Sequence, residues 1–280
     1  MSILIADSGA TKCEWCIISN GKKKKIKTIG ISPYFLKPDE IVLLINTQVV
    51  KKIGNIVIDK VYFYGTGLSN PINVDIIKKS LKATFSKAKI EVNTDMLAAA
   101  RALLQNQKGI ACILGTGSNS CYYNGKKMLT NRPGLGYVLG DEGSGAYLGK
   151  KVVQHYLYKI FDDELIMAFE KRFETHANEI LENVYKKPLA NRYLANFAIF
   201  LAENRGHYMI ENIIEDGLYD FYFQHLFKYK EAWHYPISFV GSVAFGFKDV
   251  LQNLCNQSQL KYGKVLKQPM EGLIQYHLSI

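Results

Sequence analysis

The chain has 280 residues and a formal charge of +10, with 35 lysine and arginine residues against 25 aspartate and glutamate residues. Hydrophobic residues make up 48% of the chain and charged residues 21%, which excludes a disordered or low-complexity protein. No uncharged apolar run approaches the ~18 residues that a membrane-spanning helix needs, and the first residues lack the basic start of a signal peptide. We therefore expect a cytoplasmic globular protein of one or two domains.

The first hundred residues alternate between predicted strands and predicted helices. Apolar runs predict strands over residues 3–7, 13–18, 26–31, 61–64 and 90–92. Acidic or proline residues at helix starts, together with apolar residues at helical spacing, predict helices over residues 39–52, from 71 onward and over 98–104. This alternation is typical of an α/β fold.

A second α/β segment begins at residue 109 and repeats the order of the first. In both, a strand meets a turn of small residues, a second strand follows, and Asn-Gly-Lys-Lys (residues 20–23 and 124–127) ends it. An internal duplication explains this order, and a coincidence of common hairpin chemistry is the alternative. Residues 142–230 are predicted to be mostly helical, with their aromatic side chains in the core. A strand over 237–240, a helix from 243 and a short strand over 264–266 follow.

The cysteines, the histidines and the lysine run are interpreted as packed or solvated residues. Cys13 and Cys16 have CxxC spacing, but residues three apart in a strand point to opposite faces and would not converge on a metal. The odd count of five cysteines argues against a disulfide framework, so buried free thiols are expected. The six histidines lack metal-binding spacing, and the lysines at 22–25 follow a hairpin turn with no nucleic-acid-binding motif beside them.

The turn after the first strand carries candidate phosphate-binding residues. Gly9 lets the backbone turn sharply, so that successive N–H groups can contact an anion. Thr11 adds a hydroxyl donor and Lys12 a positive charge. Asp7, at the strand end, is a candidate for holding Mg²⁺ through water, because Mg²⁺ keeps several waters and binds few carboxylates. A tight hairpin also uses glycine and threonine, so this motif alone leaves both interpretations open.

Two further turns offer similar chemistry in the second half. The segment Gly115-Thr116-Gly117-Ser118-Asn119 occupies the place equivalent to the first turn. Two such turns facing each other could hold the β and γ phosphates of a nucleotide between two domains. The segment Gly241-Ser242-Val243-Ala244 follows a strand and opens a helix, where a flat ring or a phosphate can approach closely.

Two aspartates lie at predicted helix starts. Asp95 ends a strand and precedes an alanine-rich helix, so it is either part of a helix cap or a general base for phosphoryl transfer. Asp141 lies in a segment with five glycines, residues 134–145. It is either a helix cap or an acceptor of hydrogen bonds from ligand hydroxyls.

Together these segments resemble the BadF/BadG/BcrA/BcrD-type ATPase family, which includes N-acetylglucosamine kinases and belongs to the actin, hsp70 and sugar-kinase superfamily. Residues 7–12 and 115–119 resemble its two phosphate motifs, residues 241–244 its adenosine motif, and residues 140–145 its most specific string. The resemblance implies an α/β fold of two similar ribonuclease H-like lobes, with ATP and sugar in the cleft between them. The lobes are expected over residues 1–107 and 108–280, the second with a helical insertion at about 142–230.

The resemblance also implies roles for individual residues. It makes Asp95 the catalytic residue and makes ATP and Mg²⁺ the cofactors. It assigns ATP contacts to Asp7, Gly9, Thr11, Lys12, Gly115, Thr116, Gly117, Gly241, Ser242 and Ala244. It assigns sugar contacts to Ser32, Asp95, Ser118, Asn119, Gly134, Leu135, Gly136 and Asp141.

The implied activity is ATP-dependent phosphorylation of an amino sugar, with N-acetylglucosamine at its 6-hydroxyl first and N-acetylmuramic acid second. Ser32 stands where sugar-binding members usually carry Asn, which leaves the sugar open. Two alternatives remain. One is an ATPase activator of a radical dehydratase, which binds an iron–sulfur cluster that Cys112 and Cys121 would suit poorly. The other is a non-catalytic sugar or nucleotide sensor. The expected partner is an amino sugar, with no nucleic acid or membrane and with a homodimer left open.

Overall fold

The computed structural model describes residues 2–9 and 12–279, and the chain divides into two compact units. The first unit contains the described residues up to Gln105 and those from Pro269 onward, and the second is Asn106–Gln268. Each unit contains one five-stranded mixed sheet with helices packed on it, which confirms the predicted α/β class. No helix in the described part of the chain is long and apolar enough to cross a membrane.

The sheet of the first unit combines an antiparallel meander with two parallel strands. Its strands are β1 (Ile3–Ser8), β2 (Lys12–Ser19), β3 (Lys22–Ile29), β4 (Lys60–Gly65) and β5 (Lys89–Thr94). Their order is β3-β2-β1-β4-β5, with β4 parallel to β1 and β5 parallel to β4. The central strands β1 and β4 are buried along most of their length, as expected for strands covered on both faces.

The lysine run belongs to a strand and not only to a turn. β3 begins at Lys22, earlier than the predicted start at 26, because backbone pairing with β2 continues to the pair Ser19 and Lys22. Backbone hydrogen bonds do not require apolar side chains, so the hydrophobic pattern could not reveal this part of the strand. The first four lysines of β3 are exposed on the sheet edge, where charge hinders edge-to-edge pairing.

Helices pack on the sheet of the first unit. They are α1 (Pro38–Leu44), which continues through a π-helical segment (Ile45–Val50) into α2 (Lys51–Ile53), then α3 (Pro71–Thr84) and α4 (Asp95–Leu104). Asn70 caps α3 by accepting the N–H of Ile72 at 3.0 Å, directly before the proline that begins the helix. One apolar core joins α1 and α3 to the sheet through residues such as Trp15 and Phe63.

The second unit repeats the topology of the first. Its strands are β6 (Lys108–Leu114), β7 (Ser118–Asn124), β8 (Met128–Pro133), β9 (Ile237–Val240) and β10 (Tyr262–Leu266). The order β10-β9-β6-β7-β8 again places an antiparallel meander beside two parallel strands. The same strand connectivity in both sheets supports the internal duplication. Sequence analysis did not predict β8, because its residues are mostly polar and exposed.

The region between β8 and β9 is helical, as predicted. Its helices are α5 (Gly136–Leu139), α6 (Gly145–Leu157), α7 (Asp163–Phe173), α8 (Ala177–Tyr185), α9 (Ala190–Asn196), α10 (Ile199–Glu203) and α11 (Tyr208–Gln224). Between the last two strands lie α12 (Ser242–Gly246) and α13 (Lys248–Gln257). Only part of the aromatic side chains of this region are core residues, since Tyr158 and Tyr185, for example, are exposed. Phe169 is one of those in the core: it has no exposed surface and packs on Phe173, Phe197 and Phe200.

The last helix, α14 (Met270–Leu278), belongs to the first unit, whereas the predicted boundaries assigned it to the second lobe. Gly272 packs directly on α4: a Cβ atom there would lie 2.3 Å from the carbonyl oxygen of Ala102. Gln105 Nε2 donates to the carbonyl oxygens of both Ala102 and Gly272, at 3.1 and 3.0 Å. The chain therefore returns to complete the first unit after the second has been built.

Candidate functional site

Asp7 and Asp95 lie at the same edge of the first sheet. In the parallel register, Asp7 of β1 is level with Tyr64 of β4 and Asn93 of β5, and Asp95 follows two residues beyond that row. Only β4 separates the two strands, and neighbouring strands lie about 4.8 Å apart. The carboxyl ends of parallel strands are where α/β folds commonly bind ligands. The first unit thus brings together the two carboxylates predicted to hold Mg²⁺ and to catalyse transfer.

The surroundings of Asp7 favour its neutral form. Its side chain keeps some accessible surface, but the protein around it displaces most of the water that would stabilise a charge. Burial, followed by the negative charges of Asp95 and Glu14, raises the pKa of Asp7 to about 7, while Lys12 opposes this rise. A nearby cation would lower the pKa of Asp7 again, because it would stabilise the ionised carboxylate. The Asp7 carboxylate is therefore a favourable position for a cation.

Asp95 begins α4, and its neighbour Thr94 provides the helix cap. The Thr94 side chain accepts the N–H of Leu97 at 3.2 Å, and Asp95 Oδ1 accepts the N–H of Met96 at 2.8 Å. Burial raises the pKa of Asp95 to about 6, against the lowering effect of backbone hydrogen bonds. Because Thr94 caps the helix, the Oδ2 atom of Asp95 stands outside the capping hydrogen bonds.

The turn after β1 is tied to the loop that follows β3. Gly9 donates its N–H to the carbonyl oxygen of Lys12 at 3.0 Å, and the Lys12 side chain is exposed. Ser8 Oγ accepts the N–H of Ile31 at 2.8 Å, which fixes the two segments to each other. Thr11, predicted to contact phosphate, lies outside the described residues.

Ser32, which is predicted to contact the sugar, is buried in the turn after β3. Only 2% of its surface is exposed. Its Oγ accepts the N–H of Tyr34 at 3.4 Å, and its carbonyl oxygen accepts the N–H groups of Phe35 and Leu36, both at 3.0 Å. Serine hydroxyls commonly return to the local backbone in this way, so Ser32 stabilises the turn after β3.

The second phosphate-type turn is bound to the start of α6. Gly115 donates its N–H to the carbonyl oxygen of Gly117 at 3.0 Å. The carbonyl oxygens of Gly115 and Thr116 accept the N–H groups of Gly145 and Ala146 at 2.7 and 3.0 Å. The Thr116 side chain is exposed, so a rigid turn presents a hydroxyl to solvent.

The predicted adenosine motif lies against that same turn. Gly241 has a φ of 131°, and a Cβ atom there would lie 2.1 Å from the carbonyl oxygen of Leu114, the residue before Gly115. Only glycine permits both this conformation and this approach. Ser242 begins α12 and is exposed, whereas Ala244 is buried and supports the helix from within. The predicted motifs at residues 115–119, 140–145 and 241–244 therefore meet at one end of the second sheet.

Asp141 occupies a tightly enclosed position beside them. Its φ is 57°, an uncommon value for a residue other than glycine, and its Oδ1 accepts the N–H of Gly136 at 3.1 Å. A Cβ atom at Gly134 would lie 2.1 Å from the carbonyl oxygen of Ser118 and 2.2 Å from Asp141 Oδ1. Burial raises the pKa of Asp141, while backbone N–H donors, including those of Gly136 and Ser118, lower it. Leu135 between the two glycines is exposed.

Ser118 and Asn119 are the first two residues of β7, which begins next to Asp141. The Ser118 Oγ atom is buried and has no hydrogen-bond partner among the described residues. An unpaired buried hydroxyl costs about 1–3 kcal/mol. Asn119 Oδ1 accepts the N–H of Ser120 at 2.8 Å and the Nδ2 group of Asn131 at 2.9 Å. The second unit therefore brings together Ser118, Asn119, Gly134 and Asp141, whereas the predicted sugar contacts Ser32 and Asp95 belong to the first unit.

Sequence analysis missed His225, which is buried behind this cluster. Its Nε2 atom lies 3.4 Å from Glu142 Oε2, and its Nδ1 atom lies 3.3 Å from Ser120 Oγ. These partners are 83 and 105 residues away in the chain, so no local pattern could associate them.

All five cysteines are buried free thiols, as the sequence predicts. Cys112 and Cys121 have no exposed surface, and burial raises the pKa of both thiols, that of Cys121 to about 12. Covered and protonated thiols suit no iron–sulfur cluster at a molecular surface. In residues 2–9 and 12–279, no three His, Cys, Asp or Glu side chains are placed to hold a metal ion together.

Comparison with known proteins finds relatives among solved structures. A crystal structure named "putative N-acetylglucosamine kinase" from Porphyromonas gingivalis is 40% identical, with a TM-score of 0.94 and a match over 99% of each chain. A protein of the same name from Chromobacterium violaceum is 15% identical, with a TM-score of 0.62 over 98% of each chain. No protein-family model matches the sequence, and no curated protein matches it.

A third similar structure carries ligands. It is a ROK family glucokinase from Streptomyces griseus in complex with glucose and AMPPNP. It is 15% identical, with a TM-score of 0.57 over 99% of this chain and 98% of the glucokinase. At this identity the likeness shows the fold alone.

Proposed function

Because this chain belongs to the sugar kinases of the actin-like ATPase superfamily, we propose that it phosphorylates an amino sugar with ATP, and specifically N-acetylglucosamine at its 6-hydroxyl. The choice of sugar rests on one observation. The chain is 40% identical, over 99% of both chains, to the Porphyromonas gingivalis protein named as an N-acetylglucosamine kinase. The site residues support the chemistry step by step.

Asp95 is the proposed general base. Its Oδ2 atom stands outside the helix cap, and its raised pKa of about 6 gives it more affinity for a proton than an exposed aspartate has. In the proposed step it accepts the proton of the sugar hydroxyl while that oxygen bonds to the γ-phosphorus of ATP. The bond between this phosphorus and the bridging oxygen breaks, and ADP leaves with the electron pair.

The phosphates of ATP are proposed to contact the turns at Gly9 and at residues 115–117. In the second unit, the turn is fixed by hydrogen bonds to α6 and presents the Thr116 hydroxyl, so little reorganisation is needed on binding. The close approach of Gly241 to the residue before this turn supports an adenosine contact there.

Mg²⁺ fits the residues around Asp7. A carboxylate whose charge is disfavoured by burial and by Asp95 gains from a divalent cation, and carboxylate oxygen is a ligand that Mg²⁺ prefers. The cation would neutralise part of the phosphate charge, with water and phosphate oxygens as its other ligands. Asp7 would hold it through water, leaving Asp95 for the sugar hydroxyl.

The sugar is proposed to bind at Asp141, Ser118 and Asn119. Asp141 provides a carboxylate fixed by backbone hydrogen bonds, and Ser118 provides a buried hydroxyl that a ligand hydroxyl would pair. Sites with buried polar groups discriminate against ligands that leave those groups unpaired. We therefore expect an N-acetylated amino sugar to be preferred over glucose.

The test is ADP release from ATP with a panel of sugars: N-acetylglucosamine, N-acetylmuramic acid, glucosamine, glucose and 6-deoxy-N-acetylglucosamine. We expect the highest kcat/KM with N-acetylglucosamine and none with the 6-deoxy sugar. A higher kcat/KM with N-acetylmuramic acid would replace the substrate but keep the reaction. Binding of the sugars without ADP release from any of them would identify a sensor instead.

A further inference from the structure

A buried polar cluster lies behind the residues proposed to bind the sugar. It consists of Glu142, His225, Ser120 and Tyr229, all in the second unit. His225 contacts Glu142 Oε2 at 3.4 Å through Nε2 and Ser120 Oγ at 3.3 Å through Nδ1. Tyr229 donates its hydroxyl to the carbonyl oxygen of Ser120 at 2.9 Å and accepts the N–H of Arg132 at 2.9 Å. His225 is 5% exposed, so it is covered on nearly every side.

This cluster joins the two segments of the sugar site. Glu142 directly follows Asp141 in the acidic loop. Ser120 lies two residues after Ser118 on β7, and residues two apart in a strand share a face. His225 stands between the loop and the strand, where it also stacks on Phe221 with ring centroids 4.7 Å apart.

The hydrogen-bonding groups of the cluster favour one neutral form of His225. The Glu142 carboxylate can only accept, so Nε2 carries the proton and donates it. Nδ1 can then accept from the Ser120 hydroxyl, for whose proton the Tyr229 hydroxyl at 3.1 Å and the Arg132 carbonyl oxygen at 3.4 Å compete. Burial lowers the pKa of His225 and outweighs the opposing effect of Glu142. The neutral form of the ring is therefore favoured in this arrangement. Both N–O distances are longer than the usual 2.9 Å.

We propose that His225 and Glu142 are positioning residues that fix the Asp141 carboxylate relative to the Ser118 hydroxyl, and so set the affinity for the sugar. The proposal rests on the proposed sugar-kinase function. His225 does not touch the sugar in this arrangement, because its ring is enclosed by the loop, the strand and Phe221. Loss of the pair should therefore weaken sugar binding without removing the chemistry of transfer.

The experiment compares steady-state kinetics of His225→Phe, His225→Gln and Glu142→Gln with the wild-type protein. Phenylalanine keeps the stacking on Phe221 but removes both ring nitrogens. We expect it to raise the KM for N-acetylglucosamine about tenfold, with the KM for ATP and kcat changed less than about threefold. Glutamine at 225 can still donate to Glu142 and should recover most of the affinity. The double variant H225F/E142Q should bind no more weakly than H225F alone, because both changes remove the same link.

Tyr222→Phe is the matched control, because Tyr222 lies in the last turn of α11 and His225 directly follows that helix. The Tyr222 hydroxyl is buried and donates to the carbonyl oxygen of Leu251 at 2.7 Å, remote from Glu142. Its removal should lower the melting temperature without changing the KM for the sugar. An equal rise of the sugar KM in Y222F and H225F, or an unchanged KM in H225F, would overturn the positioning role. If wild-type protein turns over no amino sugar, the proposed function fails, and the inference fails with it.

Discussion

Asp7→Asn should make the protein more stable at pH 8, although Asp7 belongs to the proposed metal-binding site. Burial and the nearby carboxylates raise the pKa of Asp7 from 3.8 to about 7. At 1.36 kcal/mol per pKa unit, keeping this group ionised in the folded state costs about 4 kcal/mol. Because Asp7 retains some contact with water, we expect a smaller gain from Asn, about 1–3 kcal/mol.

The pH dependence of this gain has a definite sign. A carboxyl group with a raised folded-state pKa binds its proton more tightly when folded, so stability falls as pH rises between about 4 and 7. The advantage of Asp7→Asn should be complete above pH 7, less than half as large at pH 5, and absent below the unfolded-state pKa of 3.8.

The assay is thermal unfolding of the ligand-free protein at pH 8 and pH 5, without Mg²⁺ or ATP. Each kcal/mol corresponds to about 2–4 °C for a chain of this size. Asp75→Asn is the control: this exposed carboxylate pairs with Lys79 at 2.8 Å, and its replacement should change stability by less than about 0.5 kcal/mol. A melting temperature of Asp7→Asn at or below that of the wild type at pH 8 would refute the reasoning.

Three further predictions concern activity. Asp95→Asn should reduce kcat by about 10²–10⁴-fold while ATP binding, measured by calorimetry, stays intact, and near-wild-type turnover would remove Asp95 from the mechanism. In the wild type, kcat/KM for the sugar should fall as pH drops through about 6, because Asp95 must be ionised to accept a proton; a profile flat from pH 5 to 8 would contradict this. Gly134→Ala should weaken sugar binding, measured by calorimetry, at least tenfold, since its methyl group would lie within 2.2 Å of Asp141 Oδ1. Gly246→Ala, with open space around the new methyl group, is its control and should bind as the wild type does.

Local sequence patterns predicted the strands and helices that short runs of neighbouring residues determine. The strands Ile3–Ser8 and Ile237–Val240 are mostly apolar and are bounded by turn residues, so the sequence predicted them. β8 was missed because a partly exposed edge strand needs no apolar pattern. The position of α14 was missed because its docking depends on a backbone contact between Gly272 and Ala102, far apart in the chain.

In the candidate site too, the sequence predicted what depends on neighbouring residues and missed what depends on residues far apart in the chain. Glycine-rich turns indicated the right segments, since glycine is needed where backbone atoms approach closely, as at Gly241. The sequence could not decide whether Asp95 was a cap, and the structure shows that Thr94 has that role. It could not show that the Ser32 hydroxyl is used by its own turn. His225 had no signal, because its partners come from other segments of the fold.

The docking of α14 on α4 has a consequence for biosynthesis. As the ribosome extends the chain, the strands of the first unit emerge early, but the helix that covers α4 emerges only after the whole second unit. Until then Ala102 and its neighbours on α4 lack the surface that Gly272 brings to them. We therefore expect the nascent first unit to remain incompletely folded while the whole second unit is being translated, and to become protease-resistant only after α14 has left the exit tunnel.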